Sequence, residues 1–510
     1  CRSPLDRATF WTKPSRRTGL GTPDRAVTPP TLHESENPPA PESLLEIARA
    51  SVPPPGRPPT EYDRAAEIRD IWGLTWPLVV GQVMANIVPL IDIFMLGSLG
   101  TPTLAAVGYA SQFLMLAQAS LMAIGSACVA LMARSIGAGD TARARGAFSA
   151  CLWVALGITV PFVLLTLLVP APLMAALGVD PAIIALAVPY FRLTLASALP
   201  MAVGLTYEHA FRAGRDTFGP MLIAGSVSLL KIALNYVFIF GAWGLPKLGL
   251  VGAGGATLIA QCVATSLFLW LSARHPHPAL HLSREDLRNA KPEVAPALRL
   301  ALPAVGERFV MNLAMLCYFR FLAGYGVSAI AAYNVGVRIL AFTWIPGLGL
   351  SVAAATLVGH ALGAGDAVSA RRSGWQATRF GLVISLVLAA LFIALRIPMA
   401  RAFTQDPAVV DALDPFILLL GIALPFLVSH FTLAGALRGA GDTITPLKAA
   451  AIGNWAFRVP LGYLFAEVWK LSLPWVWAIM LVDHLARAIW LVWSFHVGPW
   501  YRAVGIRPRG

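Results

Sequence analysis

Charge is scarce in this chain. Only 13% of its 510 residues are Asp, Glu, Lys or Arg, while 57% are hydrophobic and the mean hydropathy is +0.67. Soluble domains carry about twice that charge, so a soluble enzyme is excluded and the chain is mostly membrane-embedded. Acid is scarcer still beyond residue 70, where 29 Lys and Arg face 16 Asp and Glu, and the whole net charge of +13 resides there. No basic stripe stands on a soluble domain, so a nucleic-acid partner is excluded. Cysteine is also rare. Four of the five (Cys128, Cys151, Cys262, Cys317) sit in apolar runs, which argues against a disulfide framework, and no metal-ligand spacing accompanies them. HExxH, GxSxG and an acidic metal pair at a membrane face are all missing, which leaves an integral-membrane enzyme as a remote alternative.

What is present is long apolar runs. Residues 1–60 hold 13 of the 39 prolines and few large apolar side chains, so they are read as a disordered tail. Residues 61–72 read as a short amphipathic helix at the membrane surface. Twelve runs then follow, at 72–96, 103–133, 146–169, 183–210, 218–240, 251–273, 294–324, 328–360, 372–396, 407–435, 443–466 and 472–496. Each reaches the ~20 residues that a membrane helix needs. The expected fold is all-α, with an N-lobe over 61–273, an inter-lobe loop at 274–293, a C-lobe over 294–500 and a cytoplasmic tail at 501–510. With both termini cytoplasmic, the cytoplasmic loops and tail collect seventeen Lys and Arg against four outside, the asymmetry that the positive-inside rule requires.

The two halves repeat at an offset of 226 residues. GAGD at 137–140 recurs at 363–366, and DPA at 180–182 recurs at 406–408. Arg212…Asp216-Thr217…Pro220 returns as Arg438…Asp442-Thr443…Pro446. Six spans per repeat give both halves the same topology, related by an axis along the membrane normal. That is a plan of alternating-access transporters, though duplicated bundles also form channels.

The residues carrying these repeats resemble the multidrug and toxic compound extrusion (MATE) family. The first span, LTWPLVVGQVMANIVPLIDIFMLGSLG, is similar to the family's Pro-started first helix with an acid just before a Gly-terminated turn. The eighth, AAYNVGVRILAFTWIPGLGLSVAAATLVGHALGAGDAVSARR, follows the family pattern over some 40 residues, and LRGAGDT and ALNYVFIFGAWGLPKLGLVGAGGAT also fit. The resemblance covers about residues 70–500. It implies two six-helix lobes around a central cleft, exporting amphipathic, often cationic, compounds in exchange for H⁺ or Na⁺. It also implies a multi-pass, monomeric protein of the plasma (inner) membrane, with no cofactor beyond the coupling ion and no resident metal. A lipid-linked oligosaccharide flippase of the same superfamily is the alternative; such proteins tend to carry two further spans and a strongly cationic cleft.

An ionisable side chain inside a span normally faces a cavity or a partner. Asp92, between Ile91 and Ile93, matches the family's first-helix aspartate implicated in ion coupling. A capping or structural pair is the other reading. Lys231 and Asn235 share one helical face, i to i+4. Relatives carry Asn then Asp there, so a second acid is missing, and Lys231 is expected to pair with Asp92 or Glu208. Glu307 is expected to serve a C-lobe cation or substrate site, balanced by Arg308 or Arg338, or to form a structural pair. The positions where sodium-coupled relatives carry acids read Met311, Asn312 and Leu427, which favours protons. His430 reads as a core histidine or a titrating group, Arg458 and Asp483 as lobe-internal pairs, and Glu208 as a partner of Arg212. Gln82, Asn86, Asn312, Asn334 and Arg338 are the expected cleft-lining polar groups, or else interhelical hydrogen-bonding residues.

Overall fold

A computed structural model describes residues 64–500 except 177–178 and 405. The tails at 1–60 and 501–510 lie outside the described residues. Among the described residues, eleven helices are long and apolar enough to cross a membrane. They are α1 (Arg64–Gly97), α2 (Thr101–Gly137), α3 (Thr141–Leu168), α4 (Pro181–Ala213), α5 (Phe218–Phe240), α6 (Gly249–Arg274), α7 (Lys291–Leu322), α8 (Val327–Gly363), α9 (Ala367–Ala394), α10 (Pro407–Gly439) and α12 (Leu473–Val497). The twelfth, α11, covers residues 444–468 as alternating α and π turns, wide at Ile452–Arg458 and again at Leu464–Val468. Pro460 has no N–H to close a regular turn, which suits the wide turn before it. The twelve expected spans are therefore all present.

Two expectations need correction. The surface helix at 61–72 is not separate: from Arg64 onward it is continuous with the first span. Gly73 is the only poor helix former between Arg64 and Trp76, and Ile71 and Leu74 on either side of it bury into the C-lobe core, which carries the helix through the boundary. The fourth span is instead interrupted, by a turn at Ser197. Pro200 follows three residues later and cannot donate to the Ala196 carbonyl.

The repeated motifs turn out to be helix-end devices. Gly139 and Gly365 sit at φ +76° and +79°, where a β-carbon is disfavoured. Asp140 and Asp366 then cap α3 and α9 through the N–H groups of Arg143 and Ser369, each at 2.8 Å. Asp180 and Asp406 cap α4 and α10 in the same manner. Asp216 and Asp442 accept from Gly219 and Thr445, both at 2.9 Å.

The lobes meet at the helix ends that carry Arg134, Arg212, Arg372 and Arg438, called here the basic end. The approach of α2 to α8 is reciprocal: a β-carbon on Gly137 would strike the His360 carbonyl, and one on Gly363 would strike the Arg134 carbonyl. These positions are related by the 226-residue offset, so the contact obeys the repeat's own pseudo-twofold. The first helix of each lobe also packs into the other lobe at this end. Ile71 and Leu74 join the C-lobe core, while Ala297 and Ala301 of α7 join the N-lobe core. Ion pairs follow the same crossing. Glu67 of α1 meets Arg372 of α9 at 3.6 Å and accepts from Ser373; Glu293 of α7 meets Arg143 of α3 at 3.1 Å. Toward the opposite ends, Gln112 and Gln118 on α2 and Asn334 and Arg338 on α8 stay exposed. Polar side chains so deep in a span belong to an open cleft rather than to lipid.

Candidate substrate cavity and coupling site

Two groups of intramembrane polar residues stand out, one inside the N-lobe and one between the lobes. In the first, Asp92 near the far end of α1 faces α5. Its Oδ2 accepts from Lys231 Nζ and its Oδ1 from Asn235 Nδ2, both at 2.6 Å. Lys231 and Asn235 reach one carboxylate because they lie one helical turn apart on the same face. All three are partly or fully buried, and among the described residues the Asn235 Oδ1 has no hydrogen-bond partner. Of the two partners expected for Lys231, the structure selects Asp92, because Glu208 is taken by Arg212 on its own helix.

The second group lines a cavity of about 270 Å³ between the lobes, formed by α1, α2, α4, α7, α8, α10, α11 and α12. Its walls are apolar and aromatic: Met122 and Val129 on one side, Met311, Trp344 and Phe431 on the other. The Trp344 and Phe431 rings meet edge to face at 6.2 Å. The polar lining is largely cationic, with Arg212, Arg308, Arg438 and Arg487 beside a single carboxylate, Glu307. Both Glu307 oxygens accept from Arg438 Nη2, at 2.8 and 2.7 Å. This corrects the expectation that Arg308 or Arg338 balances Glu307. Arg438 lies just past the tenth apolar run of the sequence, at 407–435, but α10 extends to Gly439 and its last turn directs the guanidinium into the cavity.

Behind the cavity, Asp483 is fully buried and holds two arginines, Arg458 at 2.6 Å and Arg487 at 2.7 Å. The wide turn of α11 makes room for this triad. A β-carbon on Gly453 would collide with the Asp483 carboxylate and the Arg487 guanidinium. His430 shares a hydrogen bond of 3.1 Å with His484, also buried. Arg458 and Asp483 thus form the lobe-internal pair that was expected.

Of the five cleft-lining polar groups expected, Gln82 alone lines this cavity. Asn86 donates to the Gln82 carbonyl at 2.8 Å, and Asn334 to the Ile330 carbonyl at 3.0 Å. Asn312, Asn334 and Arg338 are exposed elsewhere along their helices. Residues that sequence reasoning passed over are Arg212 and Arg438, whose pairing at the repeat offset was the available signal. His209 and His360 were also missed. The His209 ring fills the space that Gly125 leaves open. His360 Nε2 donates to the Ala213 carbonyl across the lobe boundary at 2.7 Å.

Twelve membrane helices in two pseudo-equivalent lobes, enclosing a mostly apolar cavity at their interface, define a transporter rather than an enzyme. The MatE family model matches residues 77–237 and again 303–464, so the chain belongs to the multidrug and toxic compound extrusion family. The two matches begin 226 residues apart, at Pro77 and Pro303. A probable multidrug resistance protein NorM of Thermotoga maritima is 26% identical over 459 residues, covering 88% of this chain and 96% of the relative. Its namesake in Pseudomonas aeruginosa is 30% identical over 424 residues, covering 80% and 85%. Among solved structures, the Vibrio cholerae MATE transporter VcmN in its bent form has a TM-score of 0.79 at 23% identity, covering 86% of this chain and 99% of its own. A MOP superfamily transporter from Pyrococcus furiosus, described as having a binding pocket of reverse polarity, has a TM-score of 0.75 at 22% identity, covering 86% and 97%.

Proposed function

We propose that this chain is a secondary active antiporter. It exports amphipathic compounds across the plasma (inner) membrane in exchange for protons, by rocking its lobes about the central cavity, with both termini cytoplasmic. The observation carrying this reading is the Asp92 carboxylate, held inside the N-lobe by Lys231 and Asn235. A charge at that depth is costly unless it is paired. Proton binding to Asp92 dissolves the ion pair, frees the Lys231 ammonium and alters how α1 packs on α5. Substrate and proton then favour different states, which is all that coupling requires. A sodium ion would have to displace an ammonium from the only carboxylate of this group, whereas a proton adds to the carboxylate directly. Protons are therefore the preferred coupling ion.

With the basic end cytoplasmic, the lobes are closed on the cytoplasmic side and the cleft faces outward. The test is dye efflux from de-energised, dye-loaded cells carrying the wild-type chain, with an inward pH gradient or an inward sodium gradient imposed separately. Efflux driven by the pH gradient supports the proposal. Efflux driven by sodium alone contradicts it.

A further inference from the structure

Three of the four cavity arginines are matched by carboxylates: Arg212 by Glu208, Arg438 by Glu307 and Arg487 by Asp483. Arg308 is not. Among the described residues it makes no ion pair and no hydrogen bond, although it lines the cavity and adjoins Glu307 in sequence. Both Glu307 oxygens are held by Arg438, and Arg308 donates to neither, although the Glu307 charge still acts on it through space. The groups behind the wall add to the imbalance, since Asp483 alone must offset both Arg458 and Arg487. Two further donors on lining residues, Arg212 Nε and Trp344 Nε1, have no partner either. The cavity thus has spare donors and a surplus of positive charge, and no free carboxylate.

A guanidinium cannot shed its proton, and leaving one partly buried without a hydrogen-bond partner is unfavourable. Its planar fork matches a carboxylate with two parallel hydrogen bonds. We propose that Arg308 anchors a carboxylate on the transported compound, so that the cavity selects amphiphiles bearing an acidic group, zwitterions included, over the matching monocations. This rests on reading the cavity as the substrate site. The aromatic wall of Trp344 and Phe431 receives the apolar ring system, and the acidic group points to α7. A purely cationic amphiphile meets the same wall but is repelled by Arg308.

The test compares two dyes that differ in one ester: a zwitterionic rhodamine with a free benzoate and its methyl ester, which is a monocation. Each is titrated with the purified full-length chain in lipid nanodiscs near neutral pH, read by fluorescence polarisation. The wild type is expected to bind the free acid at least about tenfold more tightly than the ester, the scale of a hydrogen bond to a charged group. Arg308→Gln is expected to bring the two affinities to within about twofold, and Arg308→Lys, which keeps the charge and loses the fork, to give an intermediate ratio. Equal binding of the two dyes by the wild type, tighter binding of the ester, no binding of either, or an unchanged ratio in Arg308→Gln overturns the proposal. The wild-type comparison decides even if Arg308→Gln fails to fold. Because binding is measured without any ion gradient, a failure of proton-driven efflux bears on the export reading and leaves this result standing.

Discussion

Asp92, Lys231 and Asn235 work as a unit, and its energetics are testable without transport. Breaking a buried ion pair by removing one partner costs about 3–5 kcal/mol, because the other charge stays behind uncompensated. These side chains are about one-fifth exposed, so the cost is smaller here, on the order of 1–3 kcal/mol. Asp92→Asn and Lys231→Met are each expected to lower the thermal unfolding midpoint in nanodiscs. The double variant is expected to recover part of that loss, giving a favourable coupling in a double-mutant cycle. Additive losses would show that the pair contributes nothing. The pairing was legible in the sequence, because two polar residues at i and i+4 on one apolar helix leave few places for an ammonium to go. The Glu307–Arg438 pair was not. Arg438 lies one residue from the end of α10, where a sequence reading assigns a cation to the loop, and only the three-dimensional path of that last turn sends it inward. Arg308 stands beside Glu307 in the sequence and is, with Arg338, one of its two expected partners, but adjacent residues on a helix point in different directions.

Among the helices, the repeat motifs divide into two kinds. GAGD, DPA and the Asp of the Arg-to-Pro motif recur because each lobe needs the same helix ends, and their aspartates cap backbone N–H groups. Asp140→Ala or Asp366→Ala is therefore expected to cost about 0.5–2 kcal/mol of stability while leaving the dye preference unchanged, checked by thermal unfolding beside dye binding. Gly137 and Gly363 are different, since they set the contact between lobes rather than a helix end. Gly137→Ala or Gly363→Ala is expected to push α2 and α8 apart at the basic end and shift the population away from the closed arrangement. Labelling of a cysteine introduced near that end, by a membrane-impermeant maleimide, would rise several-fold; unchanged labelling would show that the contact does not hold the lobes. The number, order and approximate ends of the spans followed from hydropathy. The wide turns of α11 were not legible, because they answer to Gly453 lying against Asp483 and Arg487 on a different helix. Ser197 was also missed, although Pro200 nearby gave the signal for it.

Across the whole molecule, the basic end is held by reciprocal latches. Glu67 of α1 reaches Arg372 of the other lobe, and Glu293 of α7, its equivalent at the repeat offset, reaches Arg143. Single exposed pairs contribute little, so one substitution is expected to have a small effect. Glu67→Gln with Glu293→Gln is expected to favour the arrangement open at the basic end, seen as increased maleimide labelling there. The inter-lobe loop carries its own clasp: Ser283 caps a short helix by accepting from the Asp286 N–H, and the Asp286 carboxylate accepts back from Ser283 and meets Arg145 at 3.2 Å. Partial burial opposes the Asp286 charge, but the Ser283 hydrogen bonds and Arg145 outweigh it and hold the carboxyl below its usual range. A carboxyl depressed in the folded state contributes stability above its unfolded value, near pH 4, and loses it as pH falls through the folded value. The hydrogen-exchange protection factors over residues 274–293, corrected for the intrinsic pH dependence of exchange, are therefore expected to hold from neutral pH down to about pH 4 and to fall only below it.

In the proposed mechanism, protons drive export through Asp92. The most direct measurement uses proteoliposomes loaded with dye and compares uphill transport under an imposed pH gradient with dye-for-dye exchange in its absence, for the wild type and for Asp92→Asn. The account predicts that the wild type performs both, while Asp92→Asn retains exchange and loses at least about 90% of the proton-driven accumulation, as follows when the group that couples the two states is removed. Proton-driven accumulation at the wild-type level in Asp92→Asn would contradict it.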